Sequence, residues 1–138
     1  MEVLEGKRRL TTNQVTGAII SAAMKVHSAL GPGLLESAYE ACLVQELRLA
    51  GLEVRSQVPL PVVYGSVKLE IGYRIDLLVE GRIVVEIKSV EGVAPVHHAQ
   101  VLSYLKLSGC AVGLLINFNT VHLRDGIKRF VIGKSWQQ

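Results

Sequence analysis

Asp76, Glu86 and Lys88 stand inside the most strand-like part of the chain, GYRIDLLVEGRIVVEIKSVE (72–91). Charged groups in apolar β-forming runs are costly unless they are paired, metal-bound or exposed at a cleft. Register decides which of these applies, because side chains alternate faces along a strand. A two-residue loop at Glu80-Gly81 would pair Val79 with Arg82 and set Asp76 against Val85, with Glu86 pointing the other way. An odd loop or a bulge pairs Val79 with Ile83, Leu77 with Val85 and Ile75 with Ile87. The second register matches apolar with apolar and gathers Asp76, Glu86 and Lys88 on the opposite face, so it is preferred.

Two carboxylates across a strand pair repel each other. Lys88 supplies one compensating charge, and Mg²⁺ or Mn²⁺, which suit carboxylate oxygens, would supply more. A lysine beside such a metal can hold and polarise an attacking water, while the metal stabilises charge developing on a phosphate. The chemistry that this predicts is hydrolysis of a phosphodiester. The plain alternative is a solvent-facing ladder of salt bridges.

The elements that must position these residues follow from periodicity and punctuation. Thr12 or Asn13 can cap a first helix. Val15, Ile19, Ala22, Val26 and Leu30 form one apolar stripe, and Gly31-Pro32-Gly33 stops it. A second helix is predicted over 34–50, with Glu36, Tyr39, Leu43 and Leu47 on one stripe. Extended segments follow at 54–64, interrupted by Pro59 and Pro61, at 67–79, with a bend at Gly72, and at 82–90. A helix at 96–107, a short apolar strand at 111–117 and a last strand at 127–132 complete the chain. The order predicts an α/β fold around one mixed sheet, antiparallel in its middle strands, with the later helix permitting a parallel crossover.

The length of 138 residues suits a single domain, 1–138, with 1–11 as a flexible tail. Apolar residues make up 49%, which excludes a disordered chain. No apolar run approaches the roughly 18 residues of a membrane span, and MEVLEGKRRL lacks the features of a signal peptide, so a soluble cytoplasmic protein is expected. A net charge of +3 permits nucleic-acid binding without arguing strongly for it. A homodimer would add contact surface. Cys42 and Cys110 lack zinc spacing and read as buried free thiols.

Asp76, nine residues, Glu86, one residue, Lys88 resembles the D…ExK signature of the PD-(D/E)XK nuclease superfamily. GLLESAY (33–39) matches the motif that names the GxxExxY protein family. Together with YRIDLLVEG, APVHHAQVLSYLKLSG and GLLINFN, the chain is similar to that family over about residues 15–131. The resemblance implies a restriction-endonuclease-like core, αβββαβ, and a metal-dependent nuclease acting on DNA or RNA. It makes Asp76 and Glu86 metal ligands, with the Ile87 main-chain carbonyl as a third. It makes Lys88 the catalytic lysine and Glu36 an acid brought in by the preceding helix. Ile75 stands where the superfamily's name has proline.

Gln100 and Tyr104 lie one helical turn apart and resemble a Q-x-x-x-Y motif that places the substrate phosphate or the lysine. An amphipathic helix with a rim tyrosine is the alternative. His97 shares their side and is a candidate for phosphate or water, whereas adjacent His98 is expected at the surface. The alternative function is a catalytically inactive nucleic-acid-binding or regulatory subunit with the same fold.

Overall fold

The computed structural model of the chain describes residues 9–133. Thr11 caps helix α1 (Thr12–Leu30): its hydroxyl accepts from Gln14 N, and Gln14 Oε1 accepts from Thr11 N. This reciprocal pair satisfies two of the backbone donors left over at a helix start. Arg82 also donates to the Leu10 carbonyl, and Leu10 packs on the core. Residues 10 and 11 are therefore tied down; of the tail expected over 1–11, residues 1–8 lie outside the described part. Gly31 ends α1, and α2 (Glu36–Leu49) follows.

Strand β1 (Val54–Pro59) pairs antiparallel with β4 (Arg74–Val79), and β4 with β5 (Ile83–Lys88). Helix α3 (Pro95–Ser108) then crosses over to β6 (Val112–Asn117), which lies parallel to β5, and β7 (Ile127–Val131) returns antiparallel. The sheet order is β1-β4-β5-β6-β7. The three-strand, helix, parallel-strand order is as expected.

One expected element divides. The segment 67–79 is not a single strand: β3 (Val67–Leu69) pairs with β2 (Val62–Tyr64) in a separate hairpin, and only β4 joins the main sheet. Gly72, at φ 94°, marks the break, because that backbone angle is one that side chains with a Cβ rarely adopt.

The β4–β5 turn settles the register. Glu80 and Gly81 both have positive φ, and Arg82 N donates to Val79 O. Val79 nonetheless pairs with Ile83 and Leu77 with Val85. Arg82 is thus an extra residue, giving the odd connection that apolar matching demands.

Helices α1 and α2 cover one face of the sheet. There Val15, Ile19, Tyr39, Leu43 and Leu47 pack with Leu77, Val79, Ile83, Val85, Ile87, Leu114 and Ile116. Helix α3 covers the other face, with Val101, Tyr104 and Leu105 against Ile75, Val84 and Leu115. Both cysteines are free thiols as expected; Cys110 is buried, whereas Cys42, expected buried, is half-buried.

A 3₁₀ turn (Leu123–Gly126) leads into β7. A Cβ added to Gly126 would collide with the Asn117 main-chain carbonyl, which cannot swing away as a side chain can. Gly126→Ala is expected to destabilise the protein by roughly 1–3 kcal/mol, the range of overpacking. A denaturant melt within about 0.5 kcal/mol of wild type would show that the turn yields freely.

Candidate active site

The ladder between β4 and β5 stops at Leu77–Val85. Beyond it the strands are joined by side chains instead. Asp76 N donates to Glu86 Oε2 at 2.9 Å, and Ile87 N donates to Asp76 Oδ2 at 2.8 Å. Each carboxylate thus takes a main-chain N–H from the opposite strand, and the two acids sit in the fork where the sheet opens. In a strand the N–H and C=O of one residue point to the same neighbour. The Ile87 carbonyl therefore lies on the β4 edge of β5, beside Asp76.

Strict alternation fails at this fork. Leu77 packs under α1 and α2 but Ile75 packs under α3, although two residues apart should share a face. The expected apolar face of Ile75, Leu77, Val85 and Ile87 is corrected accordingly: Ile75 is on the other side. The irregularity coincides with one in β1. Gln57, opposite Asp76, has φ 52°, and the β1–β4 pairing skips the Gln57–Asp76 step. For a residue with a Cβ that conformation costs on the order of 1–2 kcal/mol.

Glu36 reaches the fork through the stretch 31–39. The Tyr39 ring is fully buried and stacks on Phe118 at 4.4 Å. Its hydroxyl donates to Gly31 O and accepts from Leu34 N, which folds the loop back on α2. Leu34 O then accepts from Ser89 Oγ at 2.6 Å, and Glu36 Oε2 accepts from Ser89 N at 3.2 Å. Glu36 is exposed at the head of α2 rather than at the edge of the buried stripe, while Tyr39, Leu43 and Leu47 are buried as expected. Tyr39→Phe is expected to cost about 1 kcal/mol. An unchanged melting midpoint would show that the loop is held otherwise.

Asn117 holds the far side of β5. Its side chain accepts from Val90 N and donates to Val90 O, a peptide-like pair that fastens the segment after Lys88 to β6. From α3, Tyr104 is buried and Gln100 Nε2 donates to its hydroxyl at 3.3 Å. Gln100 Oε1 is buried with no partner among the described residues. His97 is engaged at the start of α3, where its Nδ1 accepts from Ala94 N, the reach of an N3 side chain back to the N-cap main chain. His98 is half-buried, edge-on to Phe130.

The electrostatics are those of acids short of cations. Burial first, then the Asp76 carboxylate, push Glu86 up to about 8. Burial also raises Asp76, with Glu36 adding to it, while the Ile87 N–H, Gln57 and Lys88 act the other way. Glu86, only 3% exposed, is the member of the pair that keeps its proton. Burial and then Glu86 hold the Tyr104 hydroxyl above its ordinary value. Among the described residues neither fork acid has a basic side chain within salt-bridge distance.

Two residues of this neighbourhood do not stand out in the sequence. Glu40 lies one turn beyond Glu36, and its carboxyl is raised by burial, with Asp76 and Glu36 contributing. Gln57 Nε2 donates to both Glu40 oxygens, at 3.0 and 3.1 Å. The spacing ESAYE is a usable signal for Glu40, since residues four apart share a helix face. Nothing local marks Gln57.

Among the described residues no three His, Cys, Asp or Glu side chains gather closely enough to cage a divalent metal. Convergence of Glu36, Asp76 and Glu86 on one ion is therefore not seen. Two carboxylates and a carbonyl on one open fork still fit Mg²⁺, which keeps several waters and takes one or two carboxylates plus substrate phosphate. The uncompensated charge of the pair fits it as well.

A five-stranded mixed sheet between helices, carrying its acids where β4 and β5 part, is a restriction-endonuclease-like fold. The sequence profile of the PD-(D/E)XK nuclease superfamily matches residues 13–130, and the chain belongs to that superfamily. No curated protein and no solved structure matches it significantly. Nucleases of the superfamily generally use divalent metals. No helix among the described residues is long and apolar enough to cross a membrane.

Proposed function

We propose that this domain is a metal-dependent nuclease that hydrolyses phosphodiester bonds of DNA or RNA, and that it belongs to the GxxExxY branch of its superfamily. The observation that carries the reading is the fork: a buried and a half-buried carboxylate, each seated on a main-chain N–H of the other strand, with Lys88 as the cation acting on both. A salt-bridge ladder would pair acids with bases in direct contact, and among the described residues no base is within salt-bridge distance of this pair.

Asp76, Glu86 and the Ile87 carbonyl would hold Mg²⁺ or Mn²⁺, which supplies a Lewis acid for the phosphate oxygen and lowers the pKa of a bound water. Lys88 follows Glu86 on the same strand face. Its ammonium orients the attacking water and balances negative charge as the bond to phosphorus forms. Glu36, held by Ser89 N, stands at the edge of the fork and can take part in the water structure around the ion. Gln100 and Tyr104 position the phosphate or Lys88. The unpartnered Gln100 Oε1 is an acceptor, which is what an ammonium needs, and the Tyr104 hydroxyl is a donor for a phosphate oxygen.

The test is incubation of the purified protein with single- and double-stranded DNA and RNA, with Mg²⁺, Mn²⁺ or excess chelator. Cleavage that needs the metal supports the reading. Metal-dependent retention of a strand without cleavage would favour the binding subunit instead.

A further inference from the structure

We propose that Gln57 is a positioning residue, which with Glu40 fixes the Asp76 carboxylate in the fork. Asp76 is addressed from two strands. Ile87 N, on β5, donates to its Oδ2 at 2.8 Å, and Gln57 Nε2, on β1, lies 3.4 Å from its Oδ1. The second contact is long for a hydrogen bond, so its value depends on how firmly the amide is aimed. Glu40 does the aiming. Its two oxygens, at 3.0 and 3.1 Å, accept from the same Nε2, which links α2 through Gln57 to the acid.

The backbone points to the same role. Gln57 stands at positive φ, and the β1–β4 ladder is interrupted at its step alone, with pairs on both sides intact. Glycine or asparagine would occupy that conformation with less strain. A glutamine there keeps a strained residue whose side chain reaches the site, and strain of that kind is sustained by what surrounds it. The break is also what turns β4 between Ile75 and Leu77 and brings Asp76 to its place. Gln57 therefore acts twice, by its backbone on the course of β4 and by its amide on the carboxylate. Its consequence for metal binding rests on the nuclease reading; its consequence for the Ile87 N–H does not.

Gln57→Gly separates the two actions, since it keeps the backbone angle and removes the amide. Its melting temperature is expected to equal or exceed that of wild type. Without metal, exchange of the Ile87 amide hydrogen is expected to quicken roughly five- to tenfold, the equivalent of one hydrogen bond, while amides of β6 stay as they were. With Mn²⁺ added, the apparent dissociation constant read from the thermal shift is expected to rise about tenfold, as when a residue supporting a metal ligand is removed. Glu40→Gln is expected to reproduce part of both effects. If Gln57→Gly fails to fold, Gln57→Asn carries the same expectations, because asparagine tolerates positive φ but is one methylene too short. Unchanged Ile87 exchange in the folded variant overturns the proposal, whether or not Mn²⁺ binds. Faster Ile87 exchange in a protein that shows no Mn²⁺ shift supports the positioning role and sinks the metal reading instead.

Discussion

Asp76→Asn and Lys88→Ala should both abolish cleavage yet differ in their response to metal. Lys88 acts on water and phosphate, so its loss is expected to lower the cleavage rate by about 10²–10⁴-fold, the usual weight of a positioned acid–base group. The fork acids remain, and Mn²⁺ should still raise the melting temperature of Lys88→Ala. At a hundred times its dissociation constant the ion stabilises the native state by roughly 2.7 kcal/mol. For a chain of this size that corresponds to about 5–10 °C. In Asp76→Asn the amide oxygen can still accept the Ile87 N–H, and one repelling charge is gone, so the metal-free protein should be no less stable. It has lost an anionic ligand, however, and the Mn²⁺ shift should largely vanish with the activity. Melts with Mn²⁺ and with chelator, beside a cleavage assay, read both. Equal loss of the metal shift in the two variants would make Lys88 a structural partner of the acids. Cleavage surviving in either would remove these residues from the mechanism.

How much of this is legible in the sequence depends on the range of the interaction. The β4–β5 register is readable, because Leu77 must meet Val85 and Val79 must meet Ile83 if apolar faces are to match, and the approach of Asp76 to Glu86 follows from it. The helices are readable from their stripes and stops. Alternation is a good guide until Asp76, where it places Ile75 on the wrong face. The break lies opposite Gln57, on a neighbouring strand at an angle no local pattern announces, since glutamine at positive φ has no sequence signal. The strand expected over 67–79 is too long for a related reason: the bend at Gly72 is legible, but not that β3 leaves the sheet to pair with β2. The motif finds Glu36, but its place on the apolar stripe overstates its depth. A residue at the first turn of a helix can lie on the stripe and still be outside the packed layer. His97 looks like a site residue because its neighbours do, yet its ring is taken by the main-chain N–H of Ala94 at the start of the helix. Asn117 is easily passed over inside an apolar run, although a polar residue closing such a strand is a common place for a peptide-like clasp.

The metal-free protein is expected to lose stability as pH rises from about 5 to 8, and bound Mn²⁺ should reverse that trend. Glu86 is pushed up to about 8, chiefly by burial and then by Asp76, from an ordinary value of 4.5. Below the ordinary value both the folded and unfolded states are protonated, and the group contributes nothing to pH dependence. Between there and about 8 the folded state holds a proton that the unfolded state has released. Stability therefore falls with increasing pH across that window, and the penalty is complete above it. Taken alone, Glu86 sets an upper bound of roughly 4–5 kcal/mol on the loss. Asp76 is raised as well and acts in the same direction. The variant that isolates the effect is Glu86→Gln. Its side-chain oxygen can still accept the Asp76 N–H, but it has no proton to lose. Glu86→Gln should show a flatter profile than wild type and should be the more stable of the two at pH 8. A divalent ion needs the carboxylates ionised, so its affinity should climb through the window in which the apo protein weakens. Melting temperatures at pH 5, 6, 7 and 8, with Mn²⁺ and with chelator, should therefore diverge in wild type. In Glu86→Gln the two curves should run closer together. A wild-type profile without metal that matches Glu86→Gln at every pH would mean that Glu86 is already ionised at pH 5 in the folded protein. A metal-induced shift independent of pH would place the ion elsewhere than on these acids.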